Sequence, residues 1–158
     1  MNKYVKITIA VAICLAVGYL SSFVTQSSIE TWYPTIEKPS FNPPNWVFAP
    51  VWTFLFILMG ISAGLIWDKI DSDKELVKKG LFFFIIQLAL NALWSYLFFA
   101  LNNILLASIE IVILLLVIYE TYLIFNKVDK KASYLLIPYM LWVGFATILT
   151  VSIYFLNR

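Results

Sequence analysis

Five long apolar stretches run through this chain, and they limit its fold more than any other feature. A helix needs about 20 apolar residues to cross the hydrocarbon core of a membrane. Strands of a membrane barrel would be shorter and would alternate polar with apolar residues. We therefore predict an all-α, polytopic membrane protein: a bundle of five transmembrane helices that forms one domain over residues 1–158. The predicted spans cover residues 7–25, 46–67, 80–101, 104–125 and 133–156.

The composition excludes several classes of protein. Hydrophobic residues make up 62% of the chain and charged residues 13%, whereas soluble domains have about 45–50% and about 25%. The chain has no histidine, which rules out metal sites and catalytic groups built on imidazole. Its single cysteine, Cys14, has no partner for an internal disulfide. The net charge of +2 does not indicate a nucleic-acid partner.

The basic residues predict how the bundle lies in the membrane. Lysine and arginine are retained on the cytoplasmic side of membrane proteins. With five spans, the N-terminus and loops 68–79 and 126–132 share one side, which carries nine lysines, while the other side has only Lys38 and Arg158. We predict a cytoplasmic N-terminus and cytoplasmic loops 68–79 and 126–132. Loop 26–45 and the C-terminus then lie outside.

Polar and aromatic residues recur on single faces of spans three and five. Gln87, Asn91 and Trp94 are spaced four and three residues apart, so they form one stripe on a helix. Tyr139 and Trp142 begin a similar stripe on span five. Side-chain amides rarely face lipid, and therefore we expect the Gln87–Asn91 face to point inward.

A cavity for a planar hydrophobic ligand is one interpretation of these stripes. Trp52 and Trp94 lie roughly 9–10 Å from the outer ends of their spans by helical rise. Interior indoles beside carboxamides would line a mostly apolar cavity with a few hydrogen-bonding groups. The alternative is that the amides only tie helices together and the tryptophans only pack.

Glu110 is an acidic residue about 9 Å inside span four by helical rise. An acid at this depth is either a functional group, such as a proton relay, or a packing residue paired with a neighbouring polar group.

Small residues four positions apart occur in span two at Gly60 and Gly64. In span one they occur at Ala10, Cys14 and Gly18. Such patterns let helices approach closely. They indicate either contacts within the bundle or the interface of a dimer.

Taken together, these residues resemble the TspO/translocator protein family, whose members are also called tryptophan-rich sensory proteins or peripheral-type benzodiazepine receptors. The resemblance covers the whole chain. It is carried by Trp32-Tyr33, Lys38-Pro39, Pro43-Pro44, Phe48, Pro50-Val51-Trp52, Met59-Gly60, Trp67, Gln87 to Asn91, Trp94, Phe98-Phe99, Ala107, Glu110, Pro138-Tyr139, Trp142, Phe145-Ala146-Thr147 and Leu149. Two residues depart from the family pattern: Glu110 replaces the usual Asp, and Thr150 stands where many members have Asn.

The resemblance implies a homodimer of five-helix subunits whose pocket is covered by loop 26–45. It implies that the pocket accepts porphyrins such as protoporphyrin IX, or other planar hydrophobic ligands, and that no cofactor is required. The protein would then act as a sensor, scavenger or transporter of porphyrins in contact with membrane lipid. Carried over by position, the pocket residues are Tyr33, Pro44, Phe48, Trp52, Gln87, Asn91, Trp94, Trp142, Phe145 and Ala146, and the inward stripe adds Tyr139.

An enzyme is the alternative that the resemblance raises, because bacterial members have been linked to light-dependent degradation of protoporphyrin IX. An indole stacked on a photoexcited macrocycle can exchange an electron with it. Trp52 and Trp142 are our candidates for this catalytic role. Porphyrin propionates need a cation, and Lys38 is our candidate for that contact. Without histidine, the chain would hold a metal-free porphyrin more readily than a haem.

Overall fold

The computed structural model describes all 158 residues. Its regular secondary structure is all helical, with no strands, which confirms the predicted fold class. Five of its helical segments are long and apolar enough to cross a membrane. The helices, in chain order, are α1 (Lys3–Thr31), α2 (Asn45–Trp67), α3 (Lys74–Ser95), α4 (Ile104–Val128), α5 (Lys130–Tyr134) and α6 (Ile137–Asn157). A turn of π-helix, Tyr96–Ala100, extends α3, and a 3₁₀ turn, Tyr33–Thr35, follows α1.

Several boundaries differ from the prediction. Helix α3 begins at Lys74, ahead of the predicted residue 80, and α4 continues to Val128, past the predicted residue 125, so the loops predicted at 68–79 and 126–132 are both shorter. Helix α1 continues past residue 25 to Thr31, because the chain contains no helix breaker before Pro34. The loop predicted at 26–45 is therefore shorter, and we call residues 32–44 the lid segment. The fifth span begins at Lys130 and breaks between α5 and α6, where Pro138 in the first turn of α6 has no N–H to donate.

Four helices begin at an asparagine or aspartate that caps the first turn. The side chains of Asn2, Asp73, Asn103 and Asp129 each accept a hydrogen bond from a backbone N–H two or three residues later. Such caps satisfy N–H groups that the helix itself leaves unpaired.

The helices form a closed ring in the order α1, α2, α5/α6, α4, α3 and back to α1. The α1–α2 pair is the most tightly packed part of the ring. A Cβ atom on Gly60 would lie 2.4 Å from the Val11 Cα, and one on Gly64 would lie 2.5 Å from the Ile7 Cα. On α1, Gly18 lies against the Phe56 ring in the same way. The small-residue patterns therefore serve contacts within the bundle.

One end of the bundle carries the lid segment, the α3–α4 turn and the end of α6, and we call it the lid end. A cluster of buried side chains fills it: Tyr33, Phe98, Ala107, Leu149 and Ile153. A larger core below joins residues of all six helices, including Cys14, Met59, Leu88, Leu114, Ala132 and Tyr139.

Candidate functional site

The predicted inward stripe on α3 meets α6 at Tyr139. The Tyr139 hydroxyl donates a hydrogen bond of 2.6 Å to the Gln87 Oε1 atom and accepts one of 2.8 Å from the Asn91 amide. All three side chains are buried. Gln87 and Asn91 lie one helical turn apart, which lets a single hydroxyl on a facing helix reach both. This polar triad sits in the middle of the bundle, as the spacing predicted.

Trp52 packs against this triad from the side of α2. Its ring lies edge-on to the Tyr139 ring, with centroids 6.2 Å apart, and beside the Phe56 ring at 5.6 Å. The structure therefore brings together four predicted site residues that are far apart in the sequence: Trp52, Gln87, Asn91 and Tyr139.

An open groove of about 550 Å³ runs between the first half of α2 and the first half of α6, and we call it the α2–α6 groove. Only two of its residues, Trp142 and Phe145, were predicted from the sequence. Its lining consists of Pro43, Val51, Phe54, Leu55, Pro138, Leu141, Trp142 and Phe145.

The remaining groove residues carry a signal that sequence reasoning missed. On α6, Pro138, Leu141, Trp142 and Phe145 follow the three-and-four spacing of one helix face. Val51, Phe54 and Leu55 do the same on α2, but membrane helices are apolar all round, which hides such stripes.

The lid segment and the start of α2 close the groove towards the lid end. The Phe41 ring lies 6.2 Å from the Phe145 ring, and the Phe48 ring lies 6.2 Å from the Trp142 ring. Phe41 was not among the predicted residues. Of the predicted ones, Pro44 is exposed at the N-terminus of α2, and Ala146 lies against the core.

Tyr33 lies in the lid-end cluster and does not line the groove. Its ring packs against Phe98 and Phe99, with centroids 6.3 and 5.9 Å apart. Its hydroxyl donates a 3.0 Å hydrogen bond to the Asn42 side chain. Burial raises the pKa of the Tyr33 hydroxyl, and the hydrogen bond with Asn42 opposes that shift.

The ammonium of Lys38 is engaged within the lid segment. Its Nζ atom donates to the backbone oxygens of Tyr33 (2.8 Å) and Ile36 (3.0 Å) and lies 4.7 Å from the centre of the Tyr33 ring. The predicted cation therefore organises the segment, and it does not line the α2–α6 groove.

Polar atoms inside the bundle remain without a hydrogen-bond partner. They are the Ser28 Oγ, the Gln87 Nε2, the Trp94 Nε1 and both carboxyl oxygens of Glu110. The Trp94 ring stacks on Phe98 at 5.0 Å, in the lid-end cluster. Unpaired buried polar atoms are uncommon in proteins. They leave a hydroxyl, an amide NH2, an indole N–H and a carboxyl group available to a guest molecule or to water.

Comparisons with known proteins identify the family to which the sequence is similar. The sequence profile of the TspO/MBR family matches residues 10–156. The chain is 42% identical to the tryptophan-rich protein TspO of Chlorobaculum tepidum over 158 residues, 99% of each chain. It is 41% identical to the protein of the same name from Archaeoglobus fulgidus over 152 residues, 96% of this chain and 97% of the relative.

A more distant similarity reaches animal proteins. The chain is 34% identical to the translocator protein of Sus scrofa over 139 residues, which are 87% of this chain and 81% of that protein. With its five apolar helices, the chain is an integral, multi-pass membrane protein. It belongs to the TspO/MBR family.

Proposed function

We propose that this protein binds protoporphyrin IX, or a similar flat tetrapyrrole, in the α2–α6 groove and acts as a sensor, scavenger or transporter of it. The groove is the observation that carries this proposal. Its volume of about 550 Å³ lies within the range of about 300–1,000 Å³ that small-molecule sites occupy.

The lining of the groove suits a planar apolar ligand. Trp142 and Phe145 stand on the α6 wall, and Phe48 contacts Trp142 from α2. Aromatic side chains offer flat faces and edges that pack well against another ring system. Since no histidine is available as an axial ligand, this chemistry favours a metal-free porphyrin.

The orientation of the bundle is part of the proposal. The nine lysines on the side opposite the lid end favour a cytoplasmic N-terminus. The lid segment and the mouth of the groove then face the outside, so the ligand enters from there or from the outer leaflet.

Binding can be tested by filling the groove. We would titrate the protein in nanodiscs with protoporphyrin IX in the dark, following porphyrin absorbance and tryptophan fluorescence. Val51→Trp places a large ring in the groove and should weaken binding at least tenfold. The matched control is Val112→Trp, since Val112 is exposed on the outer face of α4. Equal affinities in the two variants would reject the α2–α6 groove as the site.

A light-driven reaction is the second candidate function, favoured by the position of Trp142 on the groove wall. An indole there could exchange an electron with a photoexcited macrocycle, with Trp52 as the second candidate next to Tyr139. Illumination in air should bleach bound porphyrin in the wild type. The Trp52→Phe, Trp142→Phe double variant should bind it but bleach it more slowly. Equal bleaching of both proteins would show that Trp52 and Trp142 do not drive the reaction.

A further inference from the structure

The lid segment is attached to the rest of the bundle at three places. At its start, the Trp32 ring lies 5.4 Å from the Phe98 ring, and Tyr33 packs on Phe98 and Phe99. At its end, Phe41 packs on Phe145, and Pro43 lines the groove. Both of these contacts are apolar. The third lies between them, where Ile36 packs on the lid-end cluster and the backbone of Glu37 makes hydrogen bonds.

Asn157, at the end of α6, makes this central contact. The backbone N–H of Glu37 donates a 2.9 Å hydrogen bond to the Asn157 Oδ1 atom, and the Asn157 Nδ2 atom donates one of 2.8 Å to the Glu37 backbone oxygen. The same Nδ2 atom donates to the Ile153 backbone oxygen at 2.7 Å, which holds the amide in place on the helix. These are the only hydrogen bonds between the lid segment and α6.

The segment that Asn157 holds is ordered by bonds of its own. Lys38 donates to two backbone oxygens, and Tyr33 binds Asn42 across the segment. The Asn42 N–H also donates to the Pro39 oxygen at 3.1 Å. Because these bonds tie the segment together, we expect an anchor at its middle to restrain both of its ends.

We propose that Asn157 is a positioning residue that latches the lid segment over the outer end of the α2–α6 groove. The proposal rests on the proposed function for its consequence, which is control over how fast a ligand enters and leaves. It predicts that the latch depends on the backbone of Glu37 and not on its side chain, since both hydrogen bonds are made to backbone atoms.

The latch itself is tested without any ligand. Hydrogen–deuterium exchange of the nanodisc protein would be followed for peptides covering residues 32–44. Asn157→Ala should speed exchange in the lid segment at least fivefold and leave α2 to α4 unchanged. Glu37→Ala should exchange like the wild type. Asn45→Ala is the matched control, because Asn45 is an exposed asparagine at the same end, and no hydrogen bond of its side chain is found.

Ligand kinetics test the consequence. Stopped-flow mixing with protoporphyrin IX should show association and dissociation rates raised at least threefold in Asn157→Ala and unchanged in Asn45→Ala. Unchanged exchange in Asn157→Ala would overturn the latch. Faster exchange with unchanged rates would overturn its control over the ligand. If the wild type binds no porphyrin, the proposed function fails, while the exchange data still decide whether Asn157 holds the segment.

Discussion

Tyr139 shows how a single buried hydroxyl can organise a membrane bundle. It donates to Gln87 and accepts from Asn91, so it satisfies one polar atom on each amide. A polar group left unpaired in a low-dielectric interior is costly. The 87–91 spacing predicted that these amides share a face. Their partner lies 48 and 52 residues away on α6, and no local pattern could identify it among several tyrosines.

Removing that hydroxyl should destabilise the protein. Tyr139→Phe leaves the ring in place but takes both hydrogen bonds away, and we expect a loss of about 1–2 kcal/mol in the free energy of unfolding. Thermal unfolding in detergent, read by circular dichroism, measures the change. Tyr119→Phe is the matched control, since Tyr119 is exposed and should be neutral. Equal melting temperatures in the two variants would show that the triad contributes no stability.

At the scale of helices, the α1–α2 pair depends on glycine at its closest approach. A Cβ on Gly60 would lie 2.4 Å from the Val11 Cα and 2.7 Å from its backbone nitrogen, so the backbone of α1 would have to shift. The sequence showed the small residues, but the same pattern fits a dimer interface equally well. Only the placement of α1 against α2 decides between these alternatives.

Two glycine substitutions should therefore have opposite effects. Gly60→Ala forces α1 away from α2, and overpacking of this kind costs about 1–3 kcal/mol. Gly144→Ala adds a Cβ that meets nothing within 4 Å, and alanine is favoured over glycine in helices by about 1 kcal/mol. Melting temperatures should fall for the first variant and stay level or rise for the second. A fall of equal size in both would contradict close packing at Gly60.

For the whole molecule, the distribution of charge predicts the orientation in the membrane. At the lysine-rich end, an ion pair of 3.5 Å joins Lys6 on α1 to Asp68 at the end of α2. Most of the other lysines at this end are exposed. Because lysines are retained in the cytoplasm, we predict that the lid end lies outside.

Cysteine labelling of intact cells tests this orientation. Ser40 in the lid segment and Ser72 in the α2–α3 loop are both exposed, and the native Cys14 is buried, so it should stay silent. A membrane-impermeant maleimide should label Ser40→Cys directly and Ser72→Cys only after the cells are permeabilised. The reverse pattern would mean that the bundle is inverted.

The amino-acid sequence alone is enough to assign the class of this protein, because apolar runs of this length have no stable alternative to spanning helices. It also determined the inward face of α3, since buried amides must avoid lipid. The tertiary structure alone decided which helices are neighbours, that Lys38 binds its own segment, and that a groove opens between α2 and α6. These features depend on contacts between residues far apart in the chain, and helices that are apolar on every side carry no local pattern that specifies their partners.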